Sequence, residues 1–198
     1  MQGVLIRGVM YLLAALFLGE LIRWELEYAM TWRPFTEYGY IQWIQSASLF
    51  TCTALAFGKS RYSASYKQLA LCMALFMLIL FIRENDEPLE LFLPHGSWKY
   101  VALLPAVYLI TYGWKNRHAL AAQLVSYAQT FSFGMMVSGF VVLVFSRLFG
   151  RNIFWEALMG ENFMLPVKLA AEEGVELLAI GLILMAVVEF VFIRDSKQ

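Results

Sequence analysis

The sequence predicts an all-α fold: a polytopic membrane helix bundle with six transmembrane helices and both termini cytoplasmic. Three observations predict it. Of 198 residues, 61% are apolar and 15% charged, against roughly 45–50% and 25% in a soluble domain. The apolar residues fall in long blocks, the pattern of membrane spans. The segments between blocks alternate in charge, so that thirteen of the fifteen acids fall on one predicted face.

The blocks are residues 4–22, 40–57, 66–82, 100–112, 124–148 and 166–193. A helix needs about 20 apolar residues to cross a ~30 Å hydrocarbon core. The first block follows Arg7 and resembles a signal peptide, but Gly19-Glu20-Leu21-Ile22-Arg23-Trp24 offers no small-x-small cleavage site. It reads as a retained helix. In the second block Gln42 and Gln45 share a face, and amides in lipid must find partners on other helices. The fourth block is short; Trp98 and Trp114 bracket it as interfacial anchors, and Pro105 is expected to kink it. Gly134 and Ser138 in the fifth are a small-xxx-small pair expected to mark a close helix contact. Pro166 suits the start of the sixth, whose first turns are expected to project or tilt. No repeat or soluble segment interrupts the chain, so one transmembrane domain covers residues 1–198.

Orientation follows from the basic residues. Lys59, Arg61 and Lys67 lie in the second connection, Lys115, Arg117 and His118 in the fourth, and Arg194 and Lys197 in the tail. Only Asp195 opposes them there, so these faces are cytoplasmic by the positive-inside rule. The opposite face gathers thirteen acids and seven bases: Arg23, Arg33, Arg83, Lys99, Arg147, Arg151 and Lys168. Six of those acids are left without a basic partner. They must be solvated, protonated or bound to a cation, and crowding raises carboxyl pKa values.

Candidate site residues come from four stretches. Arg83-Glu84-Asn85-Asp86-Glu87 closes the third span; if the helix runs on to Pro88, Arg83 and Glu87 stand one turn apart and pair. The following connector, with His95, reads as a lid on the membrane surface. Lys168, Glu172 and Glu176 stack at i, i+4 spacing opening the sixth span, with Glu173 about 100° round from Glu172. Glu176 is placed near the top of the hydrocarbon, where carboxylates usually face a bundle interior or wet cavity. Glu20, Arg23 and Glu27 are spaced for ion pairs ahead of Thr36-Glu37-Tyr38, and Arg147 closes the fifth span within reach of a glutamate of the sixth. The cation or ligand pocket is therefore expected from Arg83, Glu84, Asp86, His95, Arg147, Lys168, Glu172, Glu173 and Glu176. Glu84, Glu172 and Glu176 are the candidate ligands for a hard divalent cation, which oxygen clusters suit.

Zero net charge gives no case for nucleic acid. Cys52 and Cys72 lie in apolar runs and read as free thiols. The two histidines, His95 and His118, are predicted on opposite faces, which excludes a zinc–histidine site and a bis-histidine haem. Three function classes stay open. One is cation or proton binding in transport, sensing or coupling. Another is a membrane-embedded enzyme acting on a lipid or lipid-linked substrate, and the last is a non-catalytic membrane subunit. Expected partners are membrane lipids, a membrane or periplasmic protein, or a second copy of the chain. The Arg83-Glu84-x-Asp86, His95-Gly96-x-Trp98-Lys99 and Glu172-Glu173-x-x-Glu176 motifs resemble those of small multi-pass bacterial inner-membrane proteins without an assigned activity. That resemblance implies a bacterial inner-membrane location and no mechanism.

Overall fold

The structure, a computed structural model, describes residues 2–29, 39–92 and 94–193. Arg33, Thr36, Glu37 and Tyr38, and the tail with Arg194, Asp195 and Lys197, lie outside the described residues. Those described form nine α-helices and no strand: α1 (Gln2–Ala29), α2 (Tyr40–Tyr62), α3 (Lys67–Glu84), α4 (Asp86–Glu90), α5 (Trp98–Lys115), α6 (Arg117–Ala128), α7 (Phe131–Phe149), α8 (Asn152–Met159) and α9 (Leu165–Phe192). A 3-10 turn, Gly160–Asn162, precedes α9.

The all-helical expectation is met, but the count of spans is corrected. Three described helices, not six, are long and apolar enough to cross a membrane: α1 over Leu5–Glu27, α7 and α9. The reason is composition. Helix α2 carries two glutamines, several hydroxyl residues, Lys59 and Arg61. Helix α3 has Lys67, Arg83 and Glu84 within its 18 residues. Helix α5 holds Pro105, two lysines and several tyrosines and tryptophans in 18 residues.

Two further boundaries move. The block at 124–148 is not one helix but the end of α6 and the whole of α7. Thr130 stands between them and caps α7: its Oγ1 accepts from the Phe133 N–H at 3.3 Å and donates to the Tyr127 carbonyl at 2.7 Å. Helix α3 stops at Glu84, with Asn85 as its C-cap. Arg83 and Glu87 therefore do not share one continuous helix, and the condition for their one-turn pairing fails.

The chain divides into two compact units, Met1–Gln45 with Val137–Leu182, and Ser46–Met136 with Ile183–Gln198. In the first, Ile41 and Leu177 form a core covered by Leu18, Leu21, Ile22, Ile44, Leu169 and Ala170. Helix α1 meets α9 at two glycines two turns apart. A Cβ on Gly181 would lie 2.6 Å from Leu18 Cδ1, and one on Gly174 would lie 3.1 Å from Ile22 Cδ1. Close helix approach of this kind uses small residues. At Gly134, by contrast, an added Cβ would meet nothing within 4 Å, so no close approach there requires glycine. None of the most apolar stretch of α1 is buried. Glu25, itself buried, accepts the backbone N–H of Tyr40 at 2.9 Å, placing a carboxylate on the N-terminus of α2.

In the second unit α3 packs on α5 and α6. Gln123 of α6 accepts the Leu69 N–H at 2.8 Å, satisfying a free backbone donor at the start of α3, and donates to the Gln68 side-chain carbonyl at 2.6 Å. Tyr66, Leu69, Ala70, Tyr127 and Phe190 make the core. Phe190 takes edge contacts from Tyr66 and Tyr127 at ring-centroid distances of 5.7 and 5.1 Å. Lys59 donates to the Ile193 carbonyl at 2.6 Å, meeting the free carbonyls at the C-terminus of α9. Cys52 and Cys72 are free. Because Phe190 is 0% exposed, Phe190→Ala is expected to destabilise the protein by about 3–5 kcal/mol. Unfolding of the detergent-solubilised chain would read that loss.

Candidate functional site

Five of the nine expected site residues belong to the first unit, and the structure brings them together. Pro166 lies in the first turn of α9, as the sequence predicts. The helix then presents Lys168, Glu172 and Glu176 along one face. Lys168 Nζ is 2.6 Å from Glu172 Oε2. Arg147, near the C-terminus of α7, pairs closely with Glu176 and stands 3.9 Å from Glu172 Oε1. Glu176 is 1% exposed, while the Arg147 side chain is 40% exposed. The arginine thus links a buried carboxylate to the surface. The Arg147 pairing agrees with the sequence expectation.

Glu173 holds a different position. Its Oε2 and its backbone carbonyl accept from Gln45 Nε2 at 3.3 and 3.4 Å. Gln45 is 0% exposed, and its Oε1 has no hydrogen-bond partner. A buried acceptor left unmet costs about 1–3 kcal/mol. The cluster thus contains three carboxylates, two cations and one half-satisfied amide.

Sequence reasoning missed two members. Gln45 was expected only to join helices; its face on α2 was legible, its carboxylate partner was not. Gly150 carried no signal. A Cβ at Gly150 would lie 2.3 Å from the carboxyl carbon of Glu172, and that carboxyl is held by Lys168. Glycine at the end of α7 therefore makes room for the acid. Just beyond it, Trp155 of α8 donates to the Phe149 carbonyl at 2.8 Å and closes the corner.

The remaining expected residues, Arg83, Glu84, Asp86 and His95, belong to the second unit. Glu84 is buried. Asp86 Oδ1 accepts the Glu87 N–H at 3.0 Å. Asn85 exchanges hydrogen bonds with Ser46 at 2.8 and 2.9 Å, fixing the α3 terminus against α2. His95 is 94% exposed in its side chain and meets Glu90 Oε2 at 2.7 Å. Glu90 Oε1 also accepts the Gly96 N–H at 2.8 Å, where Gly96 has φ +78° and so favours glycine. This is a loop clasp, and it gives His95 a partner outside the cluster of the first unit. Among the described residues no group of three or more His, Cys, Asp or Glu side chains is arranged to hold a metal ion. The expected trio of Glu84, Glu172 and Glu176 is divided between the two units. In the last turns of α1, Arg23 pairs with Glu20 at 2.7 Å and closely with Glu27, as its spacing predicts.

No family model matches the chain, and no curated protein and no solved structure is significantly similar to it.

Removing Arg147 alone leaves Glu176 buried and uncompensated. Arg147→Leu is expected to cost about 3–5 kcal/mol, and Arg147→Leu with Glu176→Leu to recover most of it. Thermal unfolding of the four-member cycle measures both. The Gly96 N–H first, and then the His95 imidazole, hold the Glu90 carboxyl below its ordinary value of 4.5. A carboxylate depressed in the folded state stabilises above its unfolded value and loses that contribution as pH falls through the folded one. The clasp is expected to be closed at neutral pH and to open only in acid, as pH falls through the lowered Glu90 value. Protection of the Gly96 amide, relative to its intrinsic exchange rate at each pH, should fall there in the wild type and already be low at neutral pH in Glu90→Gln.

Proposed function

We propose that the chain is a multi-pass protein of the bacterial inner membrane in which the cluster around Glu173 binds and releases a proton. The single observation that carries this reading is the half-satisfied contact between Glu173 and Gln45. Three carboxylates share two cations, and Arg147 and Lys168 are engaged by Glu176 and Glu172. Glu173 is left with an amide. Turning that amide over sets Gln45 Oε1 against the Glu173 carboxyl, and a protonated Glu173 then donates to the acceptor that lacks a partner. Protonation also brings the cluster to zero net charge, which a low-dielectric interior favours.

The membrane part of the proposal rests on the three apolar helices, among them α1, none of whose most apolar stretch is fully buried within the protein. The polar side chains that make α2 and α3 less apolar are largely engaged within the protein, as at Gln45, Ser46, Lys59 and Gln68. The lysines and arginines of the connections support a cytoplasmic placement of the α2–α3 and α5–α6 turns. A proton site suits a sensing or coupling role. The lipid-enzyme reading takes Arg83, Arg147 or Lys168 for a phosphate; Arg147 and Lys168 already hold carboxylates, and Arg83 belongs to the other unit.

Infrared difference spectroscopy of the purified protein tests the proposal. A protonated-carboxyl band that titrates with pH is expected in the wild type, lost in Glu173→Gln and kept in the exposed-site control Glu161→Gln. A band that survives Glu173→Gln unchanged, or none in the wild type, refutes it.

A further inference from the structure

We infer that the groove between α2 and α3 in the second unit binds an anionic phospholipid, with its phosphate on Arg61 and Lys67 and an acyl chain along the helices. The groove has a volume of about 570 Å³. Its α2 wall includes Phe50 and Phe57, and its α3 wall Leu71, Leu75 and Leu78. On each helix these positions recur at three- and four-residue steps, so they form one stripe. The two basic residues flank the short turn that joins α2 to α3, and therefore sit at one end of the apolar stripe.

Three features select the occupant. Charge comes first. No acid occurs between Glu37 and Glu84, so neither helix offers the cations a carboxylate before Glu84. Both Arg61 and Lys67 are exposed, and among the described residues neither has an ion-pair partner. Lys59, by contrast, is committed to backbone carbonyls. Shape is the second feature. From Phe50 to Arg61, and from Lys67 to Leu78, each helix rises about 16 Å, close to half of the ~30 Å hydrocarbon core. The stripe is as long as one leaflet is deep. The third is the set of the arginine: its guanidinium lies 4.9 Å from the centre of the Phe57 ring, at the junction of the polar and apolar parts. A cation stacked on an aromatic face keeps its outward N–H groups for a phosphate. A soluble phosphate would leave the apolar wall unused, and a zwitterionic lipid would leave two cations without a net counter-charge.

The inference rests on the membrane reading above and is independent of Glu173. The test uses the full chain in detergent and native mass spectrometry with phosphatidylglycerol, phosphatidylcholine and glycerol 3-phosphate as separate probes. Phosphatidylglycerol should be retained about tenfold better than phosphatidylcholine. Arg61→Gln with Lys67→Gln should bring the two lipids to parity. Leu75→Trp, which fills the groove, should cut retention of both. Circular dichroism checks that each variant keeps its helices. Equal retention in the wild type, or undiminished phosphatidylglycerol retention in the double variant, overturns the assignment. So does glycerol 3-phosphate binding as firmly as the lipid. Alkaline carbonate extraction of the cell membranes separates the two failures. A chain released by carbonate refutes the membrane reading itself, whereas one that stays embedded without lipid preference refutes only the groove.

Discussion

The pairing of Arg147 with Glu176 is the interaction on which the first unit depends. Glu176 is 1% exposed on a helix of otherwise largely apolar sequence, and a lone buried carboxylate would be several kcal/mol unfavourable. Arginine suits the position because its planar fork serves two acids at once and its charge persists at any accessible pH. Once Arg147 is committed to Glu176, Lys168 takes Glu172, and Glu173 turns to Gln45. The glycine at 150 is part of the same arrangement, since any side chain there would push the Glu172 carboxyl away from its lysine. Apolar residues of similar volume often stabilise a protein as well as a buried ion pair does. The polar cluster is therefore poorly explained by stability, which is one more reason to look for chemistry in it.

The second unit meets the same constraint mainly with neutral groups. Its helices end where a side chain from another element can receive the free backbone donors and acceptors: Gln123 at the start of α3, Asn85 with Ser46 at its end, and Lys59 at the end of α9. Ser132 donates to the Ala186 carbonyl at 2.7 Å and also contacts the Tyr127 hydroxyl at 2.9 Å. A buried hydroxyl with both roles used is stable in a dry interior. Apart from the Lys59 ammonium, these links bind sequence-distant helices without charge.

Much of the helical layout was legible because apolar blocks and their charged ends mark helices directly. Pro166 announced the start of α9, and i, i+4 spacing put Lys168, Glu172 and Glu176 on one face. Arg147 was identifiable as their partner because it closes the preceding helix. What escaped was local. The Thr130 cap sits inside an apolar run, where a hydropathy pattern cannot see a change of direction. The break at Asn85 depends on a side chain reaching its own helix and Ser46. Gly150 and Gln45 join the cluster through distances that no spacing rule encodes. Gly134 shows the opposite error: its spacing suggests a close approach, yet an added Cβ would meet nothing within 4 Å, while the close approach occurs at Gly174 and Gly181.

The bare apolar flank of α1 has a consequence for how the chain is made. On the membrane reading, this helix is apolar enough to leave the translocation machinery for lipid as soon as it is synthesised, with no partner to wait for. Helices α2 and α3, too polar to do so alone, emerge next and must linger until their amides and Lys59 have found mates. Helix α9, which receives Gln45 and Lys59, is translated after them. Assembly would then have an anchored beginning and a late closing step, and a ribosome stalled before residue 165 would leave a tethered but incomplete protein exposed to quality-control proteases.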